Sequence, residues 1–422
     1  MTTLTDPPKE SFRLSMLIYD TRYRSMTIQV VAMIGFMILV GWLISNTAQN
    51  LQDLGKEPSF RFLGEPAGYD INQRLIDYDN QNTHLRAAVV GLLNTILVAI
   101  MGCVTATILG VIIGVLRLSK NWLVAKLMTI YVETFRNVPV LLWIVFSMAI
   151  LIETLPAPRA FRGDDPEATM KVFDTVALTN RGVYVPEPLF SNSLGNIRLF
   201  GESSFRFDIS LDLVAFLIAL VLGLFVRHKI KARADRIQEA TGDRPTTWYL
   251  SLAAVAVPVL AVLVVLGFHL GYPALKGFNF KGGIHMRNSL IALWLALSLY
   301  TAAFIAENVR AGILAISKGQ TEAAAALGLR SNRIMSLVIL PQALRVIIPP
   351  LISQYLNLTK NSSLAIAVGY MDLTGTLMGI TLNQTGRELE TVLLGMLIYL
   401  AISLGISLMM NWYNNRVKLV ER

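Results

Sequence analysis

The chain has 422 residues, of which 54% are apolar and only 15% charged, with a formal net charge of +9 and a mean hydropathy of +0.54. So few charges cannot cover the apolar surface of a water-soluble globule, and disordered chains differ in the opposite sense, being poor in apolar residues. The single cysteine, Cys103, excludes a disulfide scaffold, a thiolate zinc site and an iron–sulfur cluster.

The first apolar run covers about residues 28–44 within an uncharged stretch that ends at Asp53. It predicts a retained spanning helix, since it is longer than the core of a signal peptide. Residues 87–116 are 30 positions without a charge and predict a second span. Residues 122–152 predict a third, carrying Glu133 and Arg136 and interrupted by Pro139. Residues 209–226, with Asp212 near the start, and the charge-free 245–275 predict two more. The basic segment between them, 227–244, is helix-compatible and reads as a solvated connector facing lipid headgroups. Residues 288–306, 349–371 (with Lys360) and 391–415 complete eight predicted spans. The loops 48–86 and 153–208 are mixed in charge and rich in aromatics, glycine and proline, which suggests ordered caps. With the N-terminus inside, the inner segments hold 21 Lys and Arg against 8 acids, and the outer ones 14 against 16. The basic excess is therefore a topology signal and implies no nucleic-acid partner. His84, His228, His269 and His285 are scattered, with no metal-ligand spacing.

One inner loop, 317–349, departs from the pattern of short polar connectors. Gly319 reads as a helix breaker, Glu322–Leu327 as a helix stopped by Gly328, and Ser331–Leu340 as a second short helix ending near Pro341. Pro349-Pro350 reads as the opening of the next span. Two partly apolar helices flush with a membrane form a surface suited to a protein partner.

These residues carry a resemblance. Glu322-Ala323-Ala324, three residues, Gly328, nine residues, then Val338-Ile339-Leu340-Pro341 resembles the EAA loop of ABC importer membrane subunits, with Val338 where isoleucine is usual. Gly319-Gln320 and Pro341–Arg345 are similar to the polar amino-acid subfamily. Tyr131–Pro139 resembles that subfamily's Y-I-E-x-x-R-G-T-P, with Asn137 and Val138 replacing Gly and Thr, and Lys360-Asn361-Ser362-Ser363-Leu364 resembles its K-x-T/S-S-L. The extra first helix and the insertion are similar to the larger, Q-type permease of general L-amino-acid ABC transporters.

The resemblance implies an all-α polytopic membrane protein with a type I (MetI-like) five-helix core. That core would lie in 88–152 and 286–415, with an N-terminal part at 1–87, an insertion with two extra spans at 153–285 and a tail at 416–422. It further implies that the loop 317–349 couples to an ATPase through Gly319, Glu322, Ala323, Ala324, Gly328, Leu340 and Pro341. The implied partners are a cytoplasmic ABC ATPase dimer holding ATP and Mg, a second, different but homologous permease, a periplasmic amino-acid-binding protein and membrane lipid. This chain would hold no cofactor. The implied location is the bacterial inner membrane, with both termini cytoplasmic. Consistently, no G-x-x-x-x-G-K-[ST] motif occurs.

Two polar clusters within predicted spans are substrate-path candidates. Glu133, Arg136 and Asn137 share one helix face, as do Ser353, Asn357, Lys360 and Asn361, with Ser362 and Ser363 beside them. Charge at membrane depth requires a partner or water. Glu133–Arg136 as a structural pair, and Lys360 paired with a carboxylate of the bundle, are the alternatives. For Glu307 and Arg310 a structural ion pair is the expectation. An ion-coupled secondary transporter or channel is the rival function, and it predicts paired inverted repeats, which the sequence lacks. A membrane-embedded enzyme would need a side-chain constellation that the dispersed histidines do not provide.

Overall fold

The computed structural model describes residues 15–53, 55, 58–163, 165–201 and 203–417. The segment before residue 15 and the tail beyond 417 lie outside the described residues. The chain forms two compact units, residues 1–60 and 61–422. The first holds a short helix α1 (Met16–Tyr19) and the long α2 (Thr21–Asp53). Large apolar side chains of α2 such as Ile28, Phe36 and Ile44 are all exposed, as suits a helix whose solvent is lipid.

The second unit is a helix bundle with a β-stranded cap. In chain order the bundle begins with α3 (His84–Leu116), α4 (Trp122–Asn137), α5 (Val140–Thr154), α6 (Leu211–Thr241), α7 (Trp248–Val265) and α8 (Asn288–Leu314). Next come α9 (Lys318–Ala326), α10 (Ser331–Ile334), α11 (Leu340–Asn361), α12 (Leu382–Thr385) and α13 (Glu388–Val417). Among the described residues seven helices are long and apolar enough to span, or eight if the bent pair α4 and α5 is one span.

The bundle is centred on α3 and α8. Gly102, Ala106, Gly110 and Gly114 recur every fourth residue, so they line one stripe of α3. A Cβ on Gly110 would lie 2.6 Å from Ile305 Cβ, and one on Gly114 2.7 Å from the Ala306 carbonyl oxygen. Small residues let the backbones approach, which is how helices gain packing energy where lipid removes the hydrophobic contrast. The facing residues of α8, Ala302, Ile305 and Ala306, are fully buried.

Three expectations are revised by the structure. The span at 122–152 breaks outright: α4 and α5 meet at 107°. Pro139 cannot donate to the preceding turn and drives Val138 into an extended conformation, φ −108° and ψ 132°. Gly319 does not break a helix but sits in the first turn of α9, where a glycine costs little. The chain also does not stop at Pro341 or restart at Pro349. From Ser331 it is helical through to Val368, with a wide π turn at Met335–Ile339 where the Leu340 N–H reaches the Met335 carbonyl. That wider turn directly precedes Pro341, which has no N–H to continue a regular ladder.

Among the described residues the cap adds nine short strands, which the helical reading of the sequence does not resolve. They are β1 (Ala177–Thr179), β2 (Gly182–Val185), β3 (Glu187–Phe190), β4 (Asn196–Leu199) and β5 (Phe207–Ser210), then β6 (Phe268–Gly271), β7 (Ala274–Lys276), β8 (Asn279–Lys281) and β9 (Ile284–Arg287). The antiparallel sheets are β1-β2-β9, β3-β6, β4-β5 and β7-β8. Pairing of β2 with β9 and of β3 with β6 ties the entrance of the α6–α7 insertion to its exit. Tyr184 stacks on His285 across this seam at 4.2 Å. The cap and the 61–83 loop meet at Arg86 in the first turn of α3. Arg86 is 2% exposed, and its guanidinium donates to the backbone carbonyls of Asp77 and Arg206. In the same loop the Tyr69 hydroxyl bonds with Thr381 Oγ1 at 3.2 Å. Burial pushes that hydroxyl up to about 12, so it stays a neutral donor.

Gly110→Ile is expected to wedge α3 from α8 and destabilise the chain by ~1–3 kcal/mol. A lowered thermal midpoint of the detergent-solubilised protein, beside an unchanged one for Gly405→Ala, where a Cβ meets nothing within 4 Å, checks the seam.

Candidate functional site

On α11 the side chains of Ser353, Asn357 and Lys360 are exposed along one face, while Leu358 and Thr359 are buried on the other. Hydroxyls, amides and an ammonium are costly against hydrocarbon, so this face meets water or protein. Lys360 makes no ion pair among the described residues, so the alternative of a carboxylate partner in the bundle finds no support there. It lines a cavity of about 340 Å³ with Ser363, Thr374, Met378 and Tyr399.

The cavity wall is organised from behind by Asp372, a residue with no exposed surface. Its Oδ1 accepts from the Gly375 N–H at 2.8 Å and its Oδ2 from the Tyr399 hydroxyl at 3.0 Å. Thr374 Oγ1 lies 3.1 Å from the Tyr399 oxygen. Because the single tyrosine proton goes to the carboxylate, Thr374 is the donor in that pair. Ser363 Oγ in turn donates to the Lys360 carbonyl at 2.8 Å. The hydroxyl protons of Ser363 and Thr374 are thus committed, while their oxygen lone pairs remain available. The wall therefore offers an ammonium as donor and hydroxyl oxygens as acceptors. Of the other candidates here, Asn361 is half-buried. Ser362 is fully buried, its hydroxyl donating to the Thr359 carbonyl at 2.7 Å.

In the second cluster the alternative of an ion pair within one helix is not what the structure shows. Arg136 does not pair with Glu133 but reaches Glu307 of α8 at 3.9 Å and lies 5.5 Å over the Phe304 ring. Asn137 Nδ2 donates to the Glu133 carbonyl at 2.8 Å instead. Glu307 is a shared acceptor: Arg310 holds it at 3.2 Å, the expected pair, and Arg117, only 7% exposed, also donates to it. One carboxylate thus ties together the end of α3, the end of α4 and α8. Glu133, Arg136 and Asn137 do not line the Lys360 cavity.

The third site is the turn between α9 and α10. Gly328 has φ +78°, its N–H bonds to the Ala325 carbonyl and the Leu329 N–H to the Ala324 carbonyl. This is the paired closure of a helix by a left-handed residue, which favours glycine. No atom lies within 4 Å of a Cβ built there, so backbone conformation and not space selects glycine. Ala324 and Ile334 are buried and pin the two helices together, while Leu327 is 82% and Leu337 60% exposed. Glu322, Ala323 and Gly328 lie on the same open surface. Leu340 is exposed as well, one residue before Pro341 in the first turn of α11.

Asp372, Thr374, Met378 and Tyr399 were not singled out from the sequence. One signal was available: Asp372 is the only acid between Glu322 and Glu388, within a strongly apolar region.

The family described as "Binding-protein-dependent transport system inner membrane component" matches residues 240–419. The chain is 59% identical to the glutamate/glutamine/aspartate/asparagine transport system permease protein BztB of Rhodobacter capsulatus, with 100% of each chain covered. It is 44% identical to the putative amino-acid ABC transporter permease protein YhdX of Escherichia coli K12, covering 97% of this chain and 98% of that one. It is also 44% identical to the general L-amino acid transport system permease protein AapQ of Rhizobium johnstonii, covering 98% and 96%. Among solved structures, a crystal structure of an amino acid ABC transporter with histidines aligns with TM-score 0.43 and 17% identity, over 79% of this chain and 95% of that one.

Tyr399→Phe removes one donor from the buried Asp372 carboxylate and is expected to destabilise the chain by ~1.5–3 kcal/mol. Ser363→Ala removes only a local bond to a carbonyl and should be nearly neutral. Chemical denaturation of the two variants side by side gives the comparison.

Proposed function

The chain belongs to the permease subunits of amino-acid ABC transporters, and from that premise we propose that it lines half of an alternating-access path for L-amino acids around the Lys360 cavity. The observation that carries this reading is the exposed Ser353–Asn357–Lys360 face of α11, with a lysine that no carboxylate among the described residues neutralises. An α-carboxylate suits the Lys360 ammonium, and an α-ammonium suits the oxygens of Ser363 and Thr374. These are the groups all L-amino acids share, so the wall reads the common part of the solute and fits a broad range. Relatives whose names cite glutamate, glutamine, aspartate and asparagine, or L-amino acids in general, support that class. Asn357 and Asn361 extend the polar lining, with Ser362 behind it. Glu133, Arg136 and Asn137 act instead at the joint of α4, α5 and α8.

The motor is separate. A cytoplasmic ATPase dimer, holding ATP and Mg, takes the α9–α10 turn through the exposed surface around Glu322, Ala323 and Leu327, with Gly319, Gly328, Leu340 and Pro341 shaping the helices behind it and Ala324 packed beneath. No ATP is hydrolysed on this chain. Solute arrives from a periplasmic binding protein, and the other half of the path is a second, homologous permease. The complex sits in the bacterial inner membrane with both termini of this chain in the cytoplasm, the orientation that the inward excess of Lys and Arg favours.

The assembled importer in proteoliposomes tests both halves of the reading. Lys360→Gln is expected to raise the solute concentration for half-maximal transport on the order of tenfold or more, with basal ATP hydrolysis unchanged. Gly328→Val is expected to abolish solute-stimulated hydrolysis while the subunits still co-purify, because a β-branched residue does not adopt the left-handed turn. Unchanged stimulation in Gly328→Val removes the coupling role. Transport by this chain alone, driven by an ion gradient, replaces the ATP-driven reading with the rival one.

A further inference from the structure

The structure assigns a binding site for a phosphate group, of the kind carried by an anionic phospholipid, to a cleft between α6 and α7 that the transport cycle does not use. The two helices pack through Gly223, where a Cβ would lie 2.8 Å from the Ala254 carbonyl oxygen and 2.9 Å from Val255 Cα. Arg227 and Lys231 follow Gly223 by one and two turns on the same stripe of α6. Past the tight contact the helices part, and a cleft of about 690 Å³ opens between them. Arg227, Lys231 and Arg244 line it, with Thr246, Thr247 and Trp248 at the start of α7 and Ser251 on its first turn.

Four features of this cleft point to an anion. Arg227 and Lys231 make no ion pair among the described residues, whereas Arg244 is held by Asp235 at 2.7 Å. The start of α7 presents N–H groups and the positive end of an 18-residue helix, and the Thr247 side chain does not cap them. Ser251 lines the cleft as a residue only 7% exposed, and its hydroxyl, buried just beneath the wall, has no hydrogen-bond partner among the described residues. A buried hydroxyl without a partner is uncommon and marks a place where a ligand atom completes the bonding. Trp248 stands 72% exposed at the rim, as aromatic side chains do at headgroup depth.

The depth fits a lipid. The apolar part of α6, residues 211–226, is about 24 Å long and ends at Arg227, and the 18 residues of α7 span about 27 Å from Trp248. Both lengths approach the ~30 Å hydrocarbon layer, so the cleft opens where phosphates lie. Acyl chains would run along the exposed apolar surface of Leu252 and its neighbours. The site stands on the membrane-spanning character of the insertion and is independent of the solute and of the ATPase.

The test uses the complete importer purified in detergent. Phospholipid retained from phosphatidylglycerol or phosphatidylcholine is counted by native mass spectrometry, with and without millimolar inorganic phosphate. The wild type should hold phosphatidylglycerol in preference to phosphatidylcholine. The double variant R227Q/K231Q should lose roughly tenfold of that retention. Ser251→Leu, which keeps every cation but fills the cleft, should lose it as well and serves if the double variant fails to assemble. Retention that resists inorganic phosphate identifies a lipid as the source. Displacement by phosphate, with phosphate raising the thermal midpoint of wild type but not of R227Q/K231Q, identifies a soluble source for the same site. Equal retention of both lipids by the wild type, or wild-type retention in both variants, overturns the assignment.

Discussion

The close approach of α3 to α8 is the constraint on which the second unit depends. The neighbouring core helices pack on that pair: α4 and α5 lean on α8, and α11 meets α3 at Leu358 and α8 at Ile347. In lipid the usual gain from hiding apolar surface is missing, so geometry must supply the energy through close van der Waals contact. Four small residues in one stripe achieve this. Glu307 then works at one end of the seam as an electrostatic clasp on Arg117, and at the other end of α3 Arg86 fastens that helix to the 61–83 loop and the cap. Arginine suits both positions because its planar fork can serve several acceptors at once.

A membrane interior also demands that every polar group be accounted for. Most of those in the bundle are spent locally. Thr107, Thr129, Thr154 and Thr359 each return their hydroxyl to the carbonyl four residues earlier, and Asn94 donates to the carbonyls of Gln73 and Met371. The Lys360 ammonium and the Asn357 amide stand out against that frugality. Both lie on the exposed face of α11.

What was legible in the sequence follows physical range. The spans were readable because each is a local property of composition, and the α9–α10 turn because its glycine and alanine run act within one or two helical turns. The joint at Pro139 was readable as a disturbance but not as a right-angle break, since its angle is set by where α8 lets α5 lie. Spacing offers Arg136 one possible partner on its own helix, Glu133, yet it reaches Glu307 across 171 positions of sequence; spacing rules see only the near partner. Asp372 escaped notice because its importance comes from Tyr399, 27 residues on. The strands of the cap were hidden for a related reason: each is three or four residues long and is stabilised by pairing across the α6–α7 insertion, so no local pattern announces it. The stripe of small residues in α3 was written plainly every four positions and needed only to be counted.

The wide turn at Met335–Ile339 has a mechanical meaning. Between Ser331 and Lys360 the chain is one rod of about 44 Å, with the α9–α10 turn at one tip and the Lys360 cavity at the other. A rod transmits torque, and a π turn is the one place along it where a residue of winding is stored. Tightening that turn to an ordinary helical one would rotate everything beyond it by about 100°. Leu358 and Ile347, which seat α11 against Gly102 of α3 and Gly312 of α8, lie beyond the turn, so the packed bundle holds its winding in place.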